Sequence, residues 1–246
     1  MVERLYLMQA GRCKVDRSVL EPEAPRGDVL RIPVWMYLVR SRDGIFLVDT
    51  GMPDEALGRP GYFDGTEDEG LILPEMGRTD RMEGVLSRVG LTPGDVTAVI
   101  STHWHFDHAG GNRRLRSTPI LVHPAEREAA RAGAYPPECK DPDLDYRDAG
   151  DGDEPTPGLR LLHTPGHTPG HLSLLVTLPS GPILLAVDAV YTEANWNGAP
   201  GAARDPAASR ASLERLKKLA KDTGAPVFFG HDPHQADDPA WQRLQA

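Results

Sequence analysis

The stretch STHWHFDHAGGN, residues 101–112, places His103, His105, Asp107 and His108 within six consecutive positions. The chain carries nine histidines in 246 residues, so a third of them fall in this hexapeptide. In an extended segment alternate side chains share a face, so His103 and His105 can address one point. Asp107 continues the alternation, whereas His108 follows at once and points elsewhere unless the chain bends. An ion with three or four protein ligands is already near tetrahedral saturation. Four donors with a change of direction therefore suit two neighbouring ions better than one. Chance would produce such a pattern from this composition with a probability on the order of 10⁻³.

A dinuclear site needs further donors at the ends of other strands, and the sequence offers them. LLHTPGHTPGH supplies His163, His167 and His171, LLAVDAVY ends a strand at Asp188, and VFFGHDPH ends one at His231. His103, His105, Asp107, His108, His167, Asp188 and His231 make up the proposed ligand set. Asp188 has two carboxylate oxygens and can bridge both ions. Histidine with carboxylate and without thiolate suits Zn²⁺, which is the default, and also Co²⁺, Fe²⁺ or Mn²⁺. For His123, His163 and His234, an ordinary hydrogen-bonded structural role is favoured. His171 is a candidate for orienting a ligand.

The strand-length apolar runs RLYLM, VWMYLV, GIFLVDTG, VTAVIST, PILVH, LRLLHTPG, LSLLVTL, PILLAVD and PVFFGHD recur along the chain. Helical patterns separate them. TDRMEGVLSRVG has apolar residues at helical spacing and Gly90 as a stop. PAEREAARAG opens with Pro124 in its first turn. DPAASRASLERLKKLAKDTG has Asp205 as N-cap, Pro206 at N1 and Gly224 as its end. The expected architecture is α/β (α+β), with two packed mixed sheets covered by helices and residues 1–246 forming one domain. The longest surface connection, and the boundary between two structural halves, is placed near 138–158.

Composition narrows the function. A net charge of −9, with 36 acidic against 27 basic residues, disfavours a nucleic-acid partner. No apolar run approaches the roughly 18 residues of a membrane span, and MVERLYLMQAGRCKVD has neither an h-region nor a small-residue cleavage site. The expectation is a cytoplasmic, unprocessed protein without membrane partners, for which a homodimer is possible. Two cysteines, Cys13 and Cys139, give no disulfide framework. DPDLD imitates the start of a calcium loop, but Tyr146 and Gly152 stand where Gly and Glu are needed. Neither G-x-S-x-G nor a P-loop motif occurs, and the leucines of ASLERLKKLAK read as a core-facing stripe.

HWHFDH, with the later His, Asp and His, resembles the H-x-H-x-D-H signature of the metallo-β-lactamase superfamily. LYLMQAGRC, PVWMYLV, LVDTGMP, HFDHAGGN, TPGHTPGHLSLL, DAVYTEANW and FFGHD are similar to segments of the quorum-quenching N-acyl-homoserine lactonases, in the same order over nearly the whole chain. The resemblance implies an αβ/βα four-layer sandwich with the metals at one edge between the sheets. It implies His103, His105 and His167 on one ion, Asp107, His108 and His231 on the other, and Asp188 between them. It further implies hydrolysis of a lactone ring by a metal-bridging hydroxide. Tyr191 would stabilise the oxyanion, Asp107 would carry a proton to the leaving group, and Asp49 would orient a ligand histidine.

The acyl pocket implied by the resemblance includes Phe63 and Phe106, with Trp35 as core or pocket wall. Glu67 departs from the family pattern, standing where a second aromatic residue can sit; a carboxylate there would line an acyl tunnel poorly. The alternative is another hydrolase of the superfamily, such as a glyoxalase-II-type thioesterase or a general lactonase. Against the thioesterase, only DPHQADDPAWQRLQA follows His231, which is short for a glutathione-gripping segment. A di-iron redox relative would replace His105 by glutamate, and a non-catalytic relative would have lost ligands.

Overall fold

The computed structural model describes residues 1–199 and 201–244. Among these, the strands are β1 (Val2–Asp16), β2 (Val29–Ser41), β3 (Gly44–Val48), β4 (Ile72–Glu75), β5 (Ala98–Ile100), β6 (Ile120–Val122), β7 (Tyr146–Asp148), β8 (Leu159–His163), β9 (Leu172–Leu178), β10 (Gly181–Val187) and β11 (Val227–Phe229). The helices are α1 (Met82–Ser87), α2 (Phe106–Ala109), α3 (Pro124–Arg131), α4 (Glu193–Trp196), α5 (Pro206–Thr223) and α6 (Pro239–Gln242). One sheet has the order β4-β1-β2-β3-β5-β6-β7 and the other β11-β10-β9-β8. Both are mixed: β3, β5, β6 and β7 run parallel, as do β10 and β11, and the remaining pairs are antiparallel.

Strand periodicity explains the layers. Along β2, Trp35, Tyr37 and Val39 face the second sheet, while Val34, Met36 and Leu38 face the helices outside. Along β10, Ile183, Leu185 and Val187 point inward, and Leu184 and Ala186 point out. Burial on both faces is why these strands read as continuous apolar runs rather than as alternating ones. Helices α1, α2 and α3 cover the outside of the larger sheet through Met82, Val85, Leu86, Phe106 and Ala130. Helix α5 covers the smaller sheet through Leu213, Leu216 and Leu219. The order helix, sheet, sheet, helix agrees with the sandwich expected from the sequence.

Three differences from that expectation have physical causes. Strand β4 contains Pro74 and β7 is Tyr-Arg-Asp; both lie at the two edges of the larger sheet, where little apolar pattern is needed. The segment 138–158 is therefore more than a surface connection, since it contributes β7 and the fully buried Cys139. Trp35 is no pocket wall. It is buried between the sheets, with its ring edge-on to Phe228 at 5.2 Å between centroids. Among the described residues, no helix is long and apolar enough to cross a membrane.

Phe228 is the centre of an inter-sheet aromatic cluster, meeting Tyr37 at 6.0 Å and Trp241 at 5.1 Å as well as Trp35. Replacing it by alanine should cost about 3–5 kcal/mol, as expected for a buried aromatic. Denaturant melts of metal-free protein would check this, and a loss below about 1 kcal/mol would mean that the sheets do not depend on this contact.

Candidate metal centre

The seven donors converge where several strands end at one edge of the sandwich. The chain leaves β5 in extended form through His103, and His105 then caps α2. The bend demanded by the sequence is this one-turn helix, which swings His108 back toward His103, with ring centroids 4.1 Å apart. His167 comes from the loop after β8, Asp188 directly follows β10, and His231 lies two residues beyond β11. Val187, just before Asp188, has φ +49, which is unusual for a β-branched residue. Gly230 fits because a Cβ there would come within 2.6 Å of Asp188 Oδ1.

Asp188 stands between two groups of donors. Its Oδ2 lies 3.7 Å from His103 Nε2 and 3.4 Å from His167 Nε2. Its Oδ1 lies 3.4 Å from His108 Nε2, and His231 Nε2 lies 3.2 Å from both oxygens. Asp107 Oδ2 is 3.7 Å from His108 Nε2 and 3.6 Å from His231 Nε2, and the Nε2 atoms of His103 and His167 are 3.1 Å apart. Donors about 2.0–2.1 Å from a common tetrahedral ion must stand about 3.3 Å from one another. His103, His105 and His167 form one compact donor group, and Asp107, His108 and His231 another. His108 Nε2 and Asp188 Oδ1 are buried without a hydrogen-bond partner among the described residues. Orphaned buried donors and acceptors of this kind are what a cation would satisfy, so the residues present fit divalent metal ions.

The opposite ring nitrogens of His103, His108, His167 and His231 are held from behind, which fixes these imidazoles so that Nε2 faces inward. His108 Nδ1–H donates to Asp49 Oδ2 at 2.8 Å, and His231 Nδ1–H donates to the Pro33 carbonyl at 2.8 Å. Asp49 is fully buried and also accepts from the Thr102 N–H and hydroxyl, each at 2.8 Å. His103 Nδ1 lies 3.1 Å from the Thr102 hydroxyl. His167 Nδ1 is 2.6 Å from the Tyr191 hydroxyl, which itself donates to the Ala202 carbonyl at 2.6 Å. The hydroxyl proton of Tyr191 is thus engaged with the backbone here. His171 accepts the Asp188 backbone N–H at Nε2, 3.1 Å away, and its Nδ1 contacts the Thr164 hydroxyl at 2.9 Å. It therefore acts on Asp188 through the main chain.

Electrostatics separates the two groups. Burial, reinforced by neighbouring histidines, holds His103 and His167 well below the ordinary histidine value, and burial brings His105 down to about 4. These rings stay neutral, the form that binds metals. Burial also disfavours charge on His108 and His231, but Asp188, with Asp107 adding to it, overcomes this and raises both. Asp188, despite its burial, is kept well below the usual carboxylate range by His231 and His108.

A cavity of about 660 Å³ opens over the centre. His105, Asp107, His167, Asp188, Tyr191 and His231 form its floor. Phe63 and Phe106 line it and pack edge to face at 4.8 Å, with Tyr62 against both. The exposed Glu67 also lines it, and so does the half-buried Asp68. Burial, with Glu67 beside it, pushes the Asp68 carboxyl up. Sequence reasoning missed Asp68, Tyr135 and Arg204, whose guanidinium lies 5.2 Å over the Tyr135 ring. It also missed Glu126, a fully buried acid beneath the ligand loops that reads in sequence as one surface charge of PAEREAARAG. His123 and His163 stack on each other at 3.8 Å, away from the donor groups.

Comparison with known proteins bears on this geometry. Residues 30–231 match the model of the metallo-beta-lactamase superfamily. The chain is 47% identical over 237 residues to an N-acyl homoserine lactonase of a Bacillus species, covering 95% of each. It is 45% identical over 237 residues, again with 95% coverage of each, to the N-acyl homoserine lactonase AiiA of Bacillus thuringiensis subsp. kurstaki. A solved N-acyl homoserine lactone hydrolase, with the product N-hexanoyl-L-homoserine bound at its catalytic metal centre, superposes with a TM-score of 0.93 at 43% identity over 96% of each chain.

Asp49→Asn leaves one acceptor oxygen where the carboxylate had two. The amide group must then confront either Thr102 or His108. Metal affinity measured against a competing chelator should fall 10–100-fold, as expected when a ligand histidine loses its orienting partner. Unchanged affinity would remove Asp49 from that role.

Proposed function

We infer that this chain, which belongs to the metallo-beta-lactamase superfamily, is an enzyme that opens the lactone ring of N-acyl homoserine lactones and so quenches the signals they carry. The observation that carries this inference is the place of Asp188 between two donor groups, 3.2–3.7 Å from four imidazoles, at the floor of a cavity large enough for a small acylated lactone. The 45–47% identity to curated N-acyl homoserine lactonases supports the substrate class.

His103, His105 and His167 would hold one divalent ion and Asp107, His108 and His231 the other, with Asp188 shared. Zinc suits a set of imidazoles and carboxylates. Cys13 lines the same cavity, but burial, then Asp107 and Glu75, push its thiol well above its ordinary value, so it offers no thiolate. The ions, when bound, supply Lewis acidity and an activated water at neutral pH.

The protein's own groups do the rest. Asp107 is the only carboxylate of its donor group other than the shared Asp188, and it lines the cavity where the leaving ring oxygen must pass. It is the group that takes the proton given up by the attacking water and passes it to that oxygen as the acyl C–O bond breaks. Tyr191 donates to the lactone carbonyl oxygen when that oxygen replaces the Ala202 carbonyl as its acceptor, while His167 stays bonded to the phenol. Phe63 and Phe106 pack against the acyl chain, and Glu67 stands at the cavity's edge. Hydrolysis adds one water across the ester bond and yields the open N-acyl homoserine, releasing one proton at neutral pH.

Titration of that acid with N-acyl homoserine lactones of several chain lengths tests the function, with metal content measured on the same sample. The expected result is about two ions per chain and turnover abolished by chelation and restored by Zn²⁺ or Co²⁺. Two ions without lactone turnover would remove the substrate assignment and direct the search to thioesters. Tyr191→Phe should retain both ions and lose roughly 10²–10³-fold in kcat, the usual effect of deleting one oxyanion donor. An unchanged kcat would leave the hydroxyl only as the partner of His167.

A further inference from the structure

We propose that Glu126 is a positioning residue for one of the two ions: its buried carboxylate clamps together the two loops that deliver His103, His105 and His167. Glu126 is fully buried in the first turn of α3 and is not a member of either donor group. Its Oε1 accepts the backbone N–H of Trp104, the residue between His103 and His105, at 3.0 Å. Its Oε2 accepts the backbone N–H of Gly170, three residues after His167, at 2.9 Å. One side chain thus ties the H-x-H segment to the TPGHTPGH loop across 66 residues of sequence (170 − 104).

Both N–H groups lie outside regular strands, and each needs an acceptor because a buried unpaired N–H is costly. On the sheet side, Leu172 N–H donates to the Thr102 carbonyl at 3.0 Å; Glu126 closes the opposite side. The loop approaches α3 closely, since a Cβ on Gly170 would lie 2.4 Å from Glu126 N and 2.6 Å from Glu126 Cβ. Glycine permits that contact. The second donor group is held by different means, His108 by Asp49 and His231 by the Pro33 carbonyl. Glu126 touches neither. Its loss should therefore separate the two ions.

A carboxylate can accept at both oxygens, whereas the amide of glutamine has one acceptor and presents NH₂ to the other N–H. Glu126→Gln keeps the volume and breaks one of the two ties. This inference rests on the two-ion function proposed above, and its test does not use turnover. Apo-protein is titrated with Co²⁺ against a competing chelator and followed by visible absorption. Wild type should take up two equivalents. In Glu126→Gln one equivalent should weaken 10–100-fold and the other stay unchanged. Placed in a His105→Ala background, the same substitution should leave the remaining ion unaffected, because the site it serves is already lost.

Glu126→Asp keeps the charge but lacks the reach to hold both N–H groups, and should give the same selective loss. This second variant covers the case in which glutamine prevents folding. Equal weakening of both ions, or a lower Tm of the metal-free protein with both affinities intact, would overturn the proposal and leave Glu126 a general structural residue. A wild type that takes up no ion would overturn the two-ion function along with it. Two ions without lactone turnover would overturn only the substrate.

Discussion

Two carboxylates and five imidazoles share one largely dry edge of this protein, and that concentration is the constraint the rest of the structure answers to. Asp107, Asp188, His103, His108 and His231 are all buried. Burying ionisable groups is costly unless their charges and lone pairs find partners. Half of the solution is visible in the protein itself. Asp49, Thr102, the Pro33 carbonyl and Tyr191 take up the outward-facing nitrogens, leaving the inward ones pointed at common centres. The other half is left to divalent cations, which the donor groups around Asp188 fit. Loops alone could not hold such an arrangement. The donors are carried on the ends of strands whose opposite faces are locked by the cores between and outside the sheets.

The site was more legible than the scaffold beneath it. Metal chemistry restricts donors to a few residue types, and several of them stand at the ends of apolar runs, so HWHFDH, Asp188 and His231 are conspicuous in the sequence. Nine apolar runs marked nine strands, and Asp205, Pro206 and Gly224 marked the ends of α5, where Asp205 caps Ala207 and Ala208 and Gly224 adopts φ +69. Edge strands β4 and β7 left no such mark, because an edge requires less burial on either side. Trp35 was left between core and pocket wall for a related reason. Its neighbours along β2 are all apolar, so alternation could not say which face it took, and only the docking of Phe228 decides it.

Residues that act through the backbone were the least legible. Glu126 accepts main-chain N–H groups from two distant loops, and no residue type in either loop announces that need. Tyr191 was visible as a candidate, but the engagement of its hydroxyl with Ala202 depends on an irregular segment more than ten residues further on. Side-chain chemistry can be read from letters; the demands of loop backbones appear only once the loops are placed.

The dispersal of the donors along the chain also imposes an order on assembly. During synthesis the chain emerges from its N-terminus, and the group built on His103, His105 and His167, with Asp188, is complete once residue 188 is out. The group that includes His231 must wait for β11 to join the smaller sheet. The first donor group can therefore be assembled before the last strand exists, and the second only after β11 has joined the smaller sheet. Because an ion bound only by the folded state stabilises it by an amount that grows with the logarithm of its affinity, filling the later site would latch the finished fold.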